Sequence, residues 1–226
     1  AMRMTSPIPK GILYHNDAFD YPVLDLTIAR QALLDANWPG TAGLTVTDGA
    51  AWEAIAASST PLATYNYTYN IGNEMREDML IVCQDNFAKI GVAITDTGMT
   101  WGEYIKRGYE VGDLHRNMLE LWWLGWIPDY NDPSNFINML MTNTAIASNM
   151  AKIDDAQLQT WMEAAVTEID PAARKVLYDN IQERCAEVIY PWCYGYVSDA
   201  PWCGVANLRG YQQNAMKDVF DTIYFV

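Results

Sequence analysis

The residues best placed to do chemistry lie in one short stretch, Trp126-Ile127-Pro128-Asp129-Tyr130-Asn131-Asp132-Pro133. Two carboxylates stand three positions apart in a loop punctuated by two prolines. A carboxylate there can accept charge-assisted hydrogen bonds from a ligand ammonium group. A carboxylate pair can also serve glycoside hydrolysis. That use is poorly supported, because residues three apart across a Pro-bearing loop need not face each other. Acidic pairs also arise by chance in a chain with 28 Asp and Glu. Local sequence offers both acids structural work as well. Asp129 reads as an Asx-turn or cap, and Asp132 as the cap of a helix opened by Pro133. Trp126 supplies a flat apolar face three residues before Asp129. Tyr130, Trp101 and Tyr104 are weaker pocket candidates, each better suited to packing than to contact.

Other chemistry finds little support. The chain has no G-x-S-x-G elbow, P-loop, G-x-G-x-x-G or H-E-x-x-H, so no catalytic residues are assigned and an enzyme is not expected. Cys83, Cys185, Cys193 and Cys203 form no C-x-x-C pair, and the only histidines are His15 and His115. A metal site is therefore not expected, and no cofactor is implied. Cys83 and Cys185 fall on apolar helix faces and read as buried thiols. Cys193 and Cys203 flank a turn-like stretch whose spacing suits a disulfide in an oxidising compartment.

The formal charge of -14 repels phosphate backbones and anionic head groups, so nucleic acid is not expected as a partner. Nine Trp and fourteen Tyr are many for 226 residues. They fill a core and also suit a pocket that grips apolar or planar groups. No stretch reaches transmembrane length and no signal peptide is visible. The opening Ala1-Met2-Arg3-Met4 reads as the start of an internal segment, so an export signal or anchor is expected on a longer chain.

The elements that must position the loop are well punctuated. Residues 1–22, with Pro7, Pro9, Gly11 and Pro22, read as a linker. Asp25 caps a helix over about Leu26–Ala36 with a stripe of Ile28, Ala32, Leu33 and Ala36. Residues 39–60 give no clear pattern. Ala63–Tyr69 alternates like a half-buried strand. Asn73 caps a helix whose face is Met75, Met79, Val82, Cys83, Phe87 and Ile90. Gly91 ends it and Val92–Thr95 resumes as a strand, a strand–helix–strand unit that favours a parallel pair. Trp101–Lys106 reads as helix and Asn117–Trp126 as a buried strand. Ser134–Met141 is helical. Asp154 with Gln157 resembles a capping box before a stripe of Leu158, Trp161, Ala165 and Ile169. Asp170-Pro171 opens another helix with Leu177, Ile181, Cys185 and Val188. Strands are expected at Trp192–Val197 and Val219–Val226. The alternation argues an α/β fold.

Five segments in this order resemble the family 5 solute-binding proteins, which include the oligopeptide-, dipeptide- and nickel-binding proteins of ABC importers. They are Asp25–Ala36, Gln84–Val92, Trp126–Phe136, Asp170–Gln182 and Tyr190-Pro191-Trp192. The resemblance implies the C-terminal lobe of that family, a periplasmic-binding-protein-like type II lobe with a mixed, mostly parallel sheet flanked by helices. It implies residues 23–210 as the ligand-binding lobe, 1–22 as an inter-lobe segment and 211–226 as a segment returning towards a second lobe. In peptide-binding members an aspartate on the loop after the long strand pairs with the peptide α-ammonium, and Asp129 matches it. Trp126 matches an aromatic wall residue. The implied partners are a peptide or other small solute and an ABC permease, in an extracytoplasmic setting, with the membrane reached only through an N-terminal anchor. An oligosaccharide, a nickel chelate, or a sensory module that transports nothing are the alternatives within the fold.

Overall fold

The computed structural model describes residues 1–19, 23–109, 119–143, 148–198, 203, 205–211 and 224–225. In chain order the elements are β1 (Met2–Arg3), α1 (Leu26–Asp35), α2 (Gly49–Ala56), β2 (Ala63–Asn70), α3 (Glu74–Ala88), β3 (Val92–Met99), α4 (Trp101–Tyr109) and β4 (Leu121–Trp122). There follow α5 (Ser134–Met141), α6 (Ala156–Thr167), α7 (Pro171–Arg184), a π-helical turn (Cys185–Ile189), β5 (Tyr196–Val197), β6 (Leu208–Arg209) and β7 (Tyr224–Phe225). The chain divides into two compact units, Pro22–Gly125 and Ala1–Tyr21 with Trp126–Val226.

The Pro22–Gly125 unit is built on the strand–helix–strand pattern. β2 pairs in parallel with β3 from Ala63↔Val92 to Asn70↔Met99, and with β4 at Tyr67↔Leu121 and Thr68↔Trp122. The order β3-β2-β4 leaves β2 central. Tyr67 is buried and donates its hydroxyl to the Arg76 carbonyl at 3.0 Å, tying β2 to α3. Asn73 caps α3 through the Arg76 N–H, and Gly91 ends it at φ +79°, a conformation that suits glycine. The expected strand at Asn117–Trp126 pairs only over Leu121–Trp122, and residues 117–118 lie outside the described residues.

Two helix faces differ from the apolar pattern. On α1, Ile28 is exposed and the buried residue is Arg30. Its Nε donates to the Lys89 carbonyl at 2.9 Å and its Nη1 to the Val46 carbonyl at 2.9 Å. The cation thus sits at the C-terminus of α3, where the helix dipole favours it. On α3, Val82 is exposed and Arg76 is buried, and Cys83 is only partly buried. A count of apolar residues cannot see an arginine used as an anchor. The unpatterned stretch 39–60 contains α2, capped by Asp48 and pinned by the fully buried Trp52, whose indole N–H donates to the Thr45 carbonyl at 2.8 Å.

In the other unit α5, α6 and α7 enclose a core of Ile8, Ile137, Met141, Leu158, Met162, Ala165, Tyr178, Ile181 and Cys185. The N-terminal residues read as a linker are integral to this core. β1 pairs antiparallel with β5 at Met2↔Val197 and Arg3↔Tyr196. Ile8 and Ser6 are fully buried. Gln182, also fully buried, stitches the segment to α7. Its Oε1 accepts from the Ser6 hydroxyl at 3.0 Å and the Asn16 N–H at 3.1 Å, and its Nε2 donates to the Tyr14 carbonyl at 3.0 Å. Gln182→Ala leaves these groups without their partner, and is expected to lower stability by about 2 kcal/mol in a denaturant titration. An unchanged midpoint would show that the segment is held by its apolar contacts alone.

Asp155, not Asp154, caps α6, accepting the Leu158 N–H at 2.8 Å. Arg184 grips the same carboxylate through Nε at 2.6 Å and Nη2 at 2.7 Å. These hydrogen bonds hold Asp155 below the usual carboxylate range. Ile169 lies past the end of α6 and is almost wholly exposed, so it does not extend the stripe. The expected strand Trp192–Val197 pairs only over Tyr196–Val197, and β7 pairs with β6 at Leu208↔Phe225.

Candidate functional site

The loop from Trp126 to Ser134 leads into α5 and is organised around one buried amide. Asn135 is 1% exposed. Its Oδ1 accepts from the Trp126 indole N–H at 2.9 Å and from the Asp129 backbone N–H at 3.1 Å. Its Nδ2 donates to Oδ2 of Asp129 at 3.3 Å. The Asn135 N–H itself donates to the Asp132 carbonyl at 3.1 Å, so the amide is fixed at the root of α5. Asp129 is exposed and Trp126 half-buried. The loop therefore presents an acid beside an indole whose polar edge is already satisfied.

The far end of the loop is pinned by charge. Asp132 Oδ1 accepts from the Ser134 N–H at 2.9 Å, the first residue of α5. Arg174 of α7 meets both carboxylate oxygens, Nη1 to Oδ2 at 2.7 Å and Nη2 to Oδ1 at 3.0 Å. This two-pronged geometry matches a guanidinium to a carboxylate. Arg174 Nε also donates to the Ala165 carbonyl at 2.8 Å. Its guanidinium lies 5.7 Å from the Tyr14 ring centroid and 5.3 Å from that of Tyr178. Burial opposes the charge on Asp132, but the hydrogen bonds from Arg174 and Ser134 and the Arg174 charge outweigh it and hold the carboxyl below its ordinary value. The hydrogen bond to Asp132 raises Arg174. Burial pushes Tyr178 up to about 12 against the opposing Arg174 charge.

Asp132 thus accepts the N–H of the first residue of α5 and locks the loop to α7, while the cap position of α5 falls on Pro133, which has no side-chain oxygen to offer. An acid held ionised in this way is the opposite of a general acid. Tyr130 is half-exposed, with its hydroxyl 3.3 Å from the Ser134 hydroxyl. Trp126, Asp129 and Tyr130 therefore share one loop.

Trp101 and Tyr104 belong to the Pro22–Gly125 unit. Their rings stack at 5.9 Å, with the Arg76 guanidinium 5.1 Å from one and 5.3 Å from the other. Tyr104 is fully buried, donates to the Trp123 carbonyl at 2.8 Å, and is raised by burial above its ordinary value. It serves as a core residue there. Trp101 remains half-exposed.

Cys193 and Cys203 are both exposed and no disulfide joins them, so the pairing suggested by their spacing is not present. Cys185 is buried, 4.0 Å from the Met141 sulfur, and burial pushes its thiol up to about 12. No group of three or more metal-type ligands occurs among the described residues, and His115 lies outside them. No helix among them is long and apolar enough to cross a membrane. A concavity of about 380 Å³ lined by Asp154, Asp155 and Tyr190 includes none of the expected site residues. Asp155 there is already committed to α6 and Arg184.

Asn135 organises the loop without any local motif in the sequence. Its partners lie six and nine residues earlier, too far for a turn motif, and its only signal is a polar residue at an inward position of a short apolar helix.

Residues 1–148 match the family described as bacterial extracellular solute-binding proteins, family 5 Middle. Heme-binding protein A of Haemophilus influenzae is 30% identical over 208 residues, covering 91% of this chain and 32% of that protein. Di/tripeptide-binding protein 4 of Pseudomonas aeruginosa is 32% identical over 125 residues, covering 54% of this chain and 20% of that protein. The fold matches the periplasmic binding protein DppA from Helicobacter pylori, solved in complex with the peptide STSA, with a TM-score of 0.71 at 20% identity. The match covers 100% of this chain and 39% of that one. The chain spans about a third or less of the length of these two curated relatives.

Proposed function

Because the chain belongs to the bacterial extracellular solute-binding proteins of family 5, we propose that it forms part of the substrate-binding component of an ABC importer and takes short peptides. Asp129 meets the peptide α-ammonium, and Trp126 forms an apolar wall beside it. The observation that carries this reading is the loop, with an exposed carboxylate and a fixed indole on one buried amide. An ammonium brings three donors and a positive charge to such an acid. The wall accepts varied side chains because a flat apolar face imposes no single shape. Peptide-binding names among the relatives support the ligand class.

The protein does no chemistry on its ligand in this reading. It works outside the cytoplasm and passes the ligand to a permease. Its charge of -14 keeps it from nucleic acid. Tyr130, on the same loop, contributes a secondary contact.

Calorimetric titration of the whole protein with trialanine and with N-acetyl-trialanine tests the reading. A clear preference for the free amine is expected. Equal affinities would remove Asp129 from the binding site. The likeness to heme-binding protein A favours a second reading, in which the ligand is haem. Haem offers no ammonium, and a saturable change in its visible absorption on adding protein would favour it over a peptide.

A further inference from the structure

We infer that Asn135 is a positioning residue that makes the acid and the wall one unit, fixing the direction in which Asp129 is offered to a ligand. This rests on the reading of Asp129 as the ammonium partner. Two N–H groups converge on one oxygen of Asn135, from the Trp126 indole and the Asp129 backbone. That convergence settles the amide orientation, since its NH₂ group can accept neither hydrogen bond. The NH₂ is then turned to Oδ2 of Asp129. One amide therefore reads both the wall and the carboxylate. It is itself 1% exposed and is followed on α5 by the buried Phe136 and Ile137. A ligand ammonium approaching Asp129 meets a carboxylate already oriented at one oxygen, which reduces the ordering cost of binding.

A residue that merely filled space or held the backbone would be replaced well by aspartate. Asn135→Asp keeps an oxygen for both N–H groups. It reverses only the contact with the Asp129 carboxylate, turning a donor into a second acid. Two carboxylates at hydrogen-bond distance titrate as a coupled pair with one step moved upwards.

The test is calorimetry on the whole protein, with trialanine and N-acetyl-trialanine, between about pH 3 and pH 8. The expected result is that Asn135→Asp moves the pH at which half of the free-amine preference is lost upwards by about one unit or more. A midpoint unchanged from wild type would overturn the inference, leaving Asn135 a backbone prop. If wild type shows no preference at any pH, the reading of Asp129 fails, and the inference with it.

Nitrogen NMR of wild type and Asp129→Asn keeps the question open to refutation should Asn135→Asp not fold. The Asn135 NH₂ and Trp126 indole signals are expected to follow the Asp129 carboxyl with one shared midpoint in wild type, and to lose that response in Asp129→Asn. Signals in wild type that ignore the carboxyl would overturn the inference.

Discussion

Replacing Asp129 by asparagine is expected to weaken binding of a free-amine peptide roughly 30- to 150-fold, equivalent to about 2–3 kcal/mol. The substitution keeps shape and one acceptor oxygen but removes the charge. Losing one member of a desolvated, hydrogen-bonded charge pair costs about 2–5 kcal/mol. Asp129 is exposed on its loop, which places the effect in the lower half of that range. The loss should be confined to ligands with an ammonium. Affinity for the N-acetylated peptide should change less than about threefold, or less than 1 kcal/mol. The loop should persist, because its backbone N–H still donates to Asn135 and Arg174 still holds Asp132. Equal losses for both peptides would mean that the substitution damaged the loop rather than the charge.

The second large effect concerns stability. Arg174→Met removes a two-pronged ion pair, a hydrogen bond to the Ala165 carbonyl and contacts with the faces of Tyr14 and Tyr178. It leaves Asp132 ionised, three-quarters buried and without its guanidinium. Breaking such a pair from one side costs about 3–5 kcal/mol in a fully buried setting, so about 3 kcal/mol is expected here, read from the denaturation midpoint. Asp132→Asn keeps an acceptor for the Ser134 N–H and should cost less. The pH dependence has a definite sign. Asp132 is held below its ordinary value when folded, so the unfolded chain binds its proton more readily. Its contribution is present above the unfolded value near 3.9 and is lost as pH falls through the folded one. Arg174→Met should therefore narrow the gap between neutral and acid stability. A variant with an unaltered acid limb would contradict the assigned role of this pair.

What could be read in advance followed the range of the interaction. Asp25, Asn73 and Asp170 cap helices through N–H groups two or three residues away, and all three were legible. Gly91 and the β2–β3 pair were legible too, since one marks a helix end and the other joins two strand-forming runs across a single helix, although burial along β2 does not alternate. The N-terminal segment reads as a linker because its prolines signal loop, yet it belongs to the core. Its burial of Ile8 and Ser6 depends on α7, more than 150 residues later. Arg30 and Arg76 misled the helix-face readings because hydrophobic periodicity gives an arginine no inward direction, whereas these two side chains stack on aromatic rings and serve carbonyl or amide oxygens. Asp132 reads as a cap and does meet the Ser134 N–H, although the cap position is Pro133, and its bond to Arg174 spans 42 residues and carries no local mark. The candidate loop itself was legible through its family resemblance. The buried amide that organises it became visible only in three dimensions.

Native mass spectrometry of what the whole protein carries after gentle isolation shows whether this loop serves ligands with a free α-ammonium. A spread of short peptides with unmodified amino termini is predicted. Amine-free cargo, whether haem, a sugar or an N-blocked peptide, would contradict it.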